Sequence, residues 1–228
     1  MMTLNRVGTI SLISAMLALV CATDFARAQN AAAPVSAAHK ACEGERDCLQ
    51  KFSQIAKRGG NVLTLRLSNG KTKTLTDQRE ACEQHDGDRC MRYELIAYYP
   101  AQRAFVVAQD FYEGGRTILV SSRTGHETEL IDEPHYSPSG KWIATVAGCD
   151  AYCDNGIDIW SATDPPKLGL RYRPKKDAYE HYEFVAWNGD DRLQMRAAMR
   201  VGTELRESLS IEAIRTPDGW RLTSPSEN

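Results

Sequence analysis

The chain has 228 residues, of which 28 are Lys or Arg and 30 are Asp or Glu, so its formal net charge at pH 7 is −2. This near-neutral balance excludes a protein built mainly around a basic nucleic-acid-binding surface. Hydrophobic residues make up 42% of the chain, and a chain of this length and composition buries a full core as one domain or as an array of repeats.

The first 28 residues have the features of a secretory signal peptide. Arg6 precedes a mostly apolar run from 10 to 21, and Ala26-Arg27-Ala28 supplies a small-x-small cleavage pattern. We therefore predict a mature chain that starts at Gln29 and is located in the periplasm of a bacterium. No second apolar run of comparable length follows, so a transmembrane protein is not expected.

An alternative for this segment is attachment of a lipid to Cys21, which lies at the end of the apolar run. The residues directly before it, Ala18-Leu19-Val20, lack the small residue that lipid-attaching peptidases prefer beside the cysteine. The pattern therefore favours cleavage after Ala28 over a lipoprotein.

Loss of the signal peptide leaves six of the seven cysteines. An even number in an exported chain favours disulfides, although six cysteines allow 15 pairings. Pairing between nearest neighbours is the simplest arrangement because it closes only short loops, and the cysteine spacings do not match a zinc site. The pairs expected on this basis are Cys42–Cys48, Cys82–Cys90 and Cys149–Cys153.

A flexible tether is predicted over residues 29–41, followed by a single domain over 42–228. The domain begins with a helix predicted over 47–58, which Asp47 caps at its N-terminus and a pair of glycines ends. One face of this helix is apolar and consists of Leu49, Phe52, Ile55 and Ala56.

From residue 61 to residue 224 the pattern is that of β-structure. Each repeated hairpin has an apolar strand, a short turn with Gly or Pro, and a return strand. The four hairpins run from Leu63 to Leu75, from Ile118 to Leu130, from Ile157 to Leu170 and from Leu209 to Leu222. A further pair of strands precedes each of the last three, around 99–109, 136–146 and 184–199. The step from Ile118 to Ile157 is 39 residues, close to the ~40–45 residues of a four-stranded propeller blade.

The segment from Tyr136 to Val146 combines a tight turn with a strand. Ser137-Pro138-Ser139-Gly140 matches the type I turn pattern, and the residues after it are β-branched or aromatic. Gly156-Ile157-Asp158-Ile159-Trp160 forms a second strand of the same character. Together the two segments resemble one blade of a WD-repeat or Tol-type periplasmic β-propeller. The resemblance implies a mainly β fold, a propeller-like array of antiparallel units with one short N-terminal helix.

The number of units leaves two forms of this array open. Three four-stranded units and one additional hairpin are present, whereas a closed propeller takes at least four blades. Either the N-terminal hairpin and helix complete a small fourth blade, or the array is open and capped by the helix. A two-sheet β-sandwich is the alternative fold, because evenly spaced short strands suit it equally.

Three carboxylates cluster in and just after the Cys149/Cys153 loop, at Asp150, Asp154 and Asp158. Oxygen ligands in a Gly-containing turn can hold calcium. Their order does not match the loop of an EF-hand, and a solvated acidic turn is the simpler interpretation. No bound metal and no cofactor is therefore expected.

Two other segments combine charged and aromatic residues. Residues 171–182 would suit an anionic or glycan partner, although the end of a strand that runs into a polar loop has the same composition. Tyr112-Glu113-Gly114-Gly115-Arg116 places one carboxylate beside aromatic residues, whereas a glycoside hydrolase needs two carboxylates, so a turn is the simpler interpretation. The charged and aromatic members of the first segment are Arg171, Tyr172, Arg173, Lys175, Lys176, Tyr179, His181 and Tyr182.

No catalytic constellation is predicted. A Gly-x-Ser-x-Gly elbow is absent from the sequence, and the cysteines are assigned to disulfides. The five histidines are not spaced as metal ligands, and His135 is interpreted as a structural hydrogen-bonding residue. The four tryptophans lie in or beside strands and are predicted to belong to the core: Trp142, Trp160, Trp187 and Trp220.

At the level of function, the resemblance favours a non-catalytic binding or scaffolding module of the periplasm. Its expected partner is a protein or a polymer of the cell envelope. The first alternative is an envelope hydrolase whose active site is built from loops, and the second is a calcium-stabilised structural protein.

Overall fold

The structure is a computed structural model and describes residues 42–87, 89–148, 155–174, 180–201 and 203–223. Four antiparallel sheets follow one another along the chain, and in each sheet consecutive strands are neighbours. The first sheet contains β1 (Ala56–Gly59), β2 (Val62–Arg66) and β3 (Thr72–Thr76). The second contains β4 (Arg92–Tyr99), β5 (Ala104–Asp110), β6 (Gly115–Ser121) and β7 (Glu127–Leu130). The third contains β8 (His135–Tyr136), β9 (Trp142–Ala147), β10 (Gly156–Ser161) and β11 (Lys167–Tyr172). The fourth contains β12 (Glu180–Asn188), β13 (Arg192–Val201), β14 (Glu204–Thr216) and β15 (Gly219–Leu222).

The predicted β fold of repeated antiparallel units is confirmed. Each predicted hairpin is present, and the Leu63 to Leu75 hairpin has these two residues as direct partners across β2 and β3. The pairs of strands predicted before the last three hairpins are β4–β5, β8–β9 and β12–β13. Four separate sheets replace the two sheets of the β-sandwich alternative.

The N-terminal helix is shorter than predicted. Helix α1 spans Glu45–Lys51, and Gly44 rather than Asp47 precedes its first turn. The residues predicted as its last turn form β1 instead, because the two-residue turn Gly60-Asn61 lets Gly59 pair with Val62. Gly60 has φ 58°, a conformation that glycine adopts without strain. A second short helix, α2 (Arg79–Glu83), lies between β3 and β4.

Both N-terminal disulfides form as predicted. Cys42–Cys48 ties the start of the domain to α1, with 5.1 Å between the Cα atoms. Cys82–Cys90 closes the β3–β4 loop, with 4.3 Å between the Cα atoms. The signal peptide, the tether, Cys149 and Cys153 lie outside the described residues.

The turn before β9 has the predicted conformation. The Gly140 N–H donates to the Ser137 carbonyl over 2.8 Å, which is the closing hydrogen bond of a four-residue turn. Gly140 has φ 72°, and a Cβ atom there would lie 2.7 Å from Nε2 of Gln102. Glycine at this position therefore serves both the backbone conformation and the close approach of the β4–β5 turn.

The sheets pack face to face in chain order, through three buried clusters. The first cluster joins the first and second sheets and includes Leu63 and Phe105. A second cluster joins the second and third sheets and includes Val106 and Ile143. The last joins the third and fourth sheets and includes Ile159. The side chains of each inner sheet thus alternate between two cores, which explains why their strands are apolar on both faces.

The two outermost faces of the stack are polar. On the first sheet, Leu63 and Leu65 face the core, and Arg66 is exposed. The outer face of the fourth sheet carries ion pairs, among them Arg192–Glu212 at 2.7 Å. In the described part of the chain, no buried cluster joins the first sheet to the fourth. Over the described residues the array is therefore an open stack of propeller-like units with polar terminal faces, as in repeat proteins whose ends are not stacked further.

A partly buried network of charged groups joins α1 to the first two sheets. Arg58 donates to both carboxylate oxygens of Glu45 over 2.6 and 2.7 Å, and to Asp77 over 3.2 Å. It also donates to the Tyr93 carbonyl. We call these four groups the Arg58 network. Burial opposes the charge of the guanidinium, but hydrogen bonding and attraction from Glu45 and Asp77 hold the pKa of Arg58 above its ordinary value.

We expect Arg58→Met to lower the free energy of unfolding by about 3–5 kcal/mol. The substitution keeps an aliphatic side chain but leaves Asp77, whose side chain is 4% exposed, with the more distant Arg79 at 3.4 Å as its remaining cation. Urea denaturation measures the change. The matched control is Arg196→Met, which removes the exposed pair with Glu183 and should cost less than about 1 kcal/mol. Equal losses in the two variants would contradict a structural role for the network.

Candidate functional site

The stack has two different ends. At one end lie the short turns β2–β3, β4–β5, β6–β7, β8–β9, β10–β11 and β12–β13, and we call it the turn end. At the other end lie the long β3–β4 loop (77–91) and the β5–β6 turn (111–114), and we call it the loop end. Antiparallel meanders produce this division, because alternate connections return to the same side of a sheet.

Hydrogen bonds at the turn end tie each sheet to the next. Ser68 N–H and Oγ donate to the Ser122 carbonyl over 2.7 and 3.1 Å, which joins the first sheet to the second. Asp164 accepts from Ser121 Oγ over 2.8 Å and joins the second to the third. Asp190 accepts from the Ser139 N–H over 3.1 Å and from its hydroxyl, and joins the third to the fourth.

The charge of Asp190 is favoured by these contacts. Burial opposes its ionisation, but hydrogen bonds from the hydroxyls of Ser139 and Ser137, together with the Ser139 N–H, hold its pKa below the ordinary value. A charged acceptor makes stronger hydrogen bonds than a neutral one. The hydrogen bonds at the turn end therefore have a structural role, because they hold neighbouring sheets together.

Ser121, His126 and Asp164 line one cleft at the turn end and have the residue types of a catalytic triad. Their geometry is different from that of a triad. Ser121 Oγ donates directly to the carboxylate of Asp164, whereas a triad needs the histidine between them. The same Oγ accepts the backbone N–H groups of Arg123 and Thr124 over 3.2 and 3.1 Å. The arrangement is that of a hydroxyl-capped turn, and it does not activate a nucleophile.

The loop end contains a half-open cavity of about 270 Å³ between the β3–β4 loop and the β5–β6 turn. We call it the loop-end cavity. Aromatic rings, two charged groups of opposite sign and the second disulfide meet in it. Its lining residues are Cys82, His85, Cys90, Arg92, Asp110, Phe111 and Tyr112.

Tyr112 is the most exposed large hydrophobic side chain in the described residues, at 48%. Its ring meets His85 edge to face, with 5.9 Å between the ring centroids. A Cβ atom on Gly87 would lie 3.6 Å from the ring, so the loop backbone supports one side of it. Tyr112 is thus an aromatic surface that is both solvent-accessible and held in position.

Arg92 and Asp110 stand opposite each other at the ends of β4 and β5. Both are exposed. Among the described contacts, neither side chain has a hydrogen-bond or ion-pair partner within the protein. A free guanidinium donor and a free carboxylate acceptor therefore lie beside the aromatic surface of the cavity.

The β3–β4 loop that forms one wall of the cavity is firmly closed at its neck. The Gln78 N–H donates to the Met91 carbonyl over 2.7 Å, and Asp77 accepts from the Tyr93 N–H over 3.0 Å. Further along, the Cys90 N–H donates to the Asp86 carbonyl over 2.8 Å. With the Cys82–Cys90 disulfide, these bonds hold the described parts of the loop, 77–87 and 89–91, together.

The calcium hypothesis gains no support from the one candidate ligand that the structure describes. Asp158 is 1% exposed, and its carboxylate accepts from Arg171 over 3.1 and 3.2 Å and from Arg173 over 2.8 and 3.0 Å. A carboxylate neutralised by two guanidinium groups is a poor ligand for a hard cation. Asp150 and Asp154 lie outside the described ranges, and within them no cluster of three acidic, His or Cys side chains fits a metal ion.

The basic and aromatic segment from 171 to 182 is divided by the fold. Arg171 and Arg173 bind Asp158, and Tyr182 is buried with its ring 5.8 Å from that of Tyr172. Tyr182 thus belongs to the core, whereas the two arginines cover a buried carboxylate from the more exposed side. Lys175, Lys176 and Tyr179 are not among the described residues.

His135 stacks on Phe184 with 3.8 Å between the ring centroids and an interplanar angle of 1°. Its buried Nδ1 has no hydrogen-bond partner in the described part of the chain. The His135 ring therefore contributes packing, and the hydrogen bond at this residue is made by its backbone carbonyl, which accepts from Trp187. Burial lowers its pKa to about 4, which leaves a neutral ring at physiological pH.

The tryptophans contribute to the cores, as predicted. Trp160 and Trp187 are buried, at 9% and 3% exposure. Trp142 and Trp220 are partly buried and meet edge to face, with 5.3 Å between their ring centroids.

The sequence marks the Tyr112 segment and the Cys82–Cys90 pair, but it does not show that they line the same cavity. His85, Arg92 and Asp110 were not predicted as site residues. The signal that was available is topological: the loop before β4 and the turn after β5 must lie at the same end of an antiparallel sheet. No sequence motif marks the three residues themselves.

Comparison of the sequence with protein-family models, with curated proteins and with solved structures finds no match. The likeness to propeller blades therefore rests on the repeated antiparallel sheets themselves. Among the helices of the described residues, none is long and apolar enough to cross a membrane.

We expect the protein to lose stability as the pH falls from 6.5 to 4, in part through His135. The unfolded chain protonates this residue near pH 6.5 and the folded chain only near pH 4, so in this interval the unfolded state binds more protons. The contribution is fully present above pH 6.5 and falls by up to about 1.4 kcal/mol per pH unit below it. Urea denaturation across this range should show a shallower slope for His135→Phe, which keeps the stacking. The exposed His126 provides the control His126→Phe, and equal slopes in the two variants would exclude this role for His135.

We expect Ser121 to be unreactive toward an acylating fluorophosphonate. Its hydroxyl proton is directed at Asp164, which is a much weaker base than a triad histidine. Mass spectrometry of the treated protein should detect no adduct on Ser121. An adduct at Ser121 that Asp164→Asn or His126→Phe abolishes would instead indicate an active nucleophile.

Proposed function

We propose that this protein is a non-catalytic binding module of the bacterial periplasm and that its ligand site is the loop-end cavity. The observation that carries the proposal is the combination of the exposed Tyr112 ring with the unpaired Arg92 and Asp110 side chains. Binding sites typically combine an apolar surface with a few polar groups that fix orientation. Exposed aromatic and Arg side chains are also the most frequent contributors of binding energy at interfaces.

The rigidity of the walls supports the same function. The disulfide and the hydrogen bonds at the neck order the β3–β4 loop before any ligand arrives. A preformed site loses less conformational entropy on binding than a site that must become ordered. Disulfides also suit an oxidising compartment such as the periplasm.

Catalysis by the same cavity has less support. Asp110 is the single carboxylate among its lining residues, whereas glycoside hydrolysis needs two at a set separation. Catalytic acids and bases usually lie in a buried or charged environment, and Asp110 is exposed with no ion-pair partner among the described residues. The features of the cavity therefore suit recognition better than proton transfer.

We expect Tyr112→Ala to reduce retention of the ligand at least tenfold without destabilising the fold, because the ring is half exposed and its removal leaves the buried clusters intact. The disulfide-bonded protein is immobilised and exposed to an extract of periplasm and envelope, and the retained material is compared between variants. The matched control is Leu168→Ala, an exposed apolar residue on β11 with 42% exposure.

Three results would contradict the proposal. The first is that wild-type protein retains no material. The second is that the Tyr112→Ala and Leu168→Ala variants both retain the same material as wild type, which would show that the cavity is not the site. Alternatively, wild-type protein releases soluble product from envelope material and Asp110→Asn or Glu113→Gln does not, in which case the cavity is catalytic.

A further inference from the structure

We propose that the ligand of the loop-end cavity is a pyranose ring of an envelope glycan. The inference rests on the proposed binding function and adds the chemical class of the ligand. Its basis is the geometry of one accessible ring with a donor and an acceptor at its side.

Tyr112 supplies the stacking surface. The electron-rich face of an aromatic ring attracts the weakly positive C–H groups that cover one face of a pyranose. Phe111 is less available for this role, because the guanidinium of Arg116 lies 5.1 Å from its ring centroid. His85, which meets Tyr112 edge to face, extends the aromatic border of the cavity.

Arg92 and Asp110 complement the hydroxyl groups at the edge of such a ring. Each hydroxyl both donates and accepts, and neighbouring hydroxyls on a sugar therefore need a donor and an acceptor side by side. Arg92 offers only donors, and the carboxylate of Asp110 offers only acceptors. Their direct pairing across β4 and β5 places these two functions next to each other.

The charges around the cavity disfavour an anionic ligand. Arg92 is balanced by Asp110, Arg89 lies 2.5 Å from Asp86, and Arg116 lies 2.7 Å from Glu129. No excess of positive charge remains among these groups to attract a phosphate or a nucleic acid. A zwitterionic peptide end would match the signs, but exposed ion pairs add little affinity in water. A neutral, hydroxyl-rich ligand gains both from stacking and from charge-assisted hydrogen bonds.

The size of the cavity limits what enters it. About 270 Å³ in a half-open site is at the small end of ligand pockets. It accommodates one sugar ring, with the rest of the glycan chain outside. The ligand we infer is therefore a ring within, or at the end of, an extended polymer.

The test is titration of the isotope-labelled, disulfide-bonded protein with three trisaccharides, monitored by NMR. The probes are chitotriose, cellotriose and maltotriose, with trialanine and inorganic phosphate as non-glycan probes. We expect at least one trisaccharide to shift the resonances of His85, Gly87 and Tyr112, and the non-glycan probes to leave them unchanged. Tyr112→Ala and Asp110→Asn should each weaken binding about tenfold. Tyr112→Phe, which keeps the ring, and Leu168→Ala should change it less than about threefold.

The results separate this inference from the proposed function. If none of the trisaccharides shifts the cavity resonances, or if they bind with equal affinity to Tyr112→Ala, the glycan inference is overturned. Should the extract experiment at the same time show Tyr112-dependent retention of material that a protease destroys, the binding function stands with a protein as the ligand. If trialanine or phosphate shifts the cavity residues instead, the ligand belongs to the class of that probe.

Discussion

The partly buried contact of Arg58 with Glu45, Asp77 and the Tyr93 carbonyl is the constraint on which the first half of the structure depends. It joins four segments: α1, β1, the end of β3 and the start of β4. A carboxylate buried as deeply as that of Asp77 is tolerated only with a partner, so these segments must come together around the guanidinium. Glu45 extends the network, since it also accepts the Leu95 N–H over 3.1 Å.

The same constraint leads to the loop-end cavity. Asp77 is the first residue of the β3–β4 loop, and Tyr93 follows its end, so the hydrogen bond between them closes the neck. Arg92 lies between Met91, which accepts the Gln78 N–H, and Tyr93. The backbone of Arg92 is therefore held by hydrogen bonds at both neighbouring residues, and its side chain is exposed. The Arg58 network thereby positions Arg92 on the surface, and Arg92 lines the same cavity as the Cys82–Cys90 disulfide.

Most of the fold could be predicted from sequence because its signals are local. Ser137 to Gly140 encodes one turn, and Leu63 and Leu75 are partners because the turn between them sets the register. The predicted helix is too long because two local signals compete. Leu49, Phe52 and Ile55 are spaced as one helical face, but the two-residue turn Gly60-Asn61 lets Ala56–Gly59 pair with Val62–Leu65. Only part of the candidate site could be predicted from the sequence, namely the Tyr112 segment and the Cys82–Cys90 pair. His85, Arg92 and Asp110 become neighbours through the fold and belong to no sequence motif.

The open arrangement of the described sheets bears on where a binding site could form. In the described residues, the first and fourth sheets do not share a core, so the units do not enclose a common centre to which every sheet contributes a wall. At the turn end, the carboxylates of Asp164 and Asp190 already accept hydrogen bonds from the turns of neighbouring sheets. Free hydrogen-bonding groups beside an exposed ring are found instead at the loop end, where a disulfide rather than a neighbouring sheet supplies the rigidity. The proposed binding site is thus separated from the contacts that hold the sheets together, and Tyr112 belongs to none of the three buried clusters.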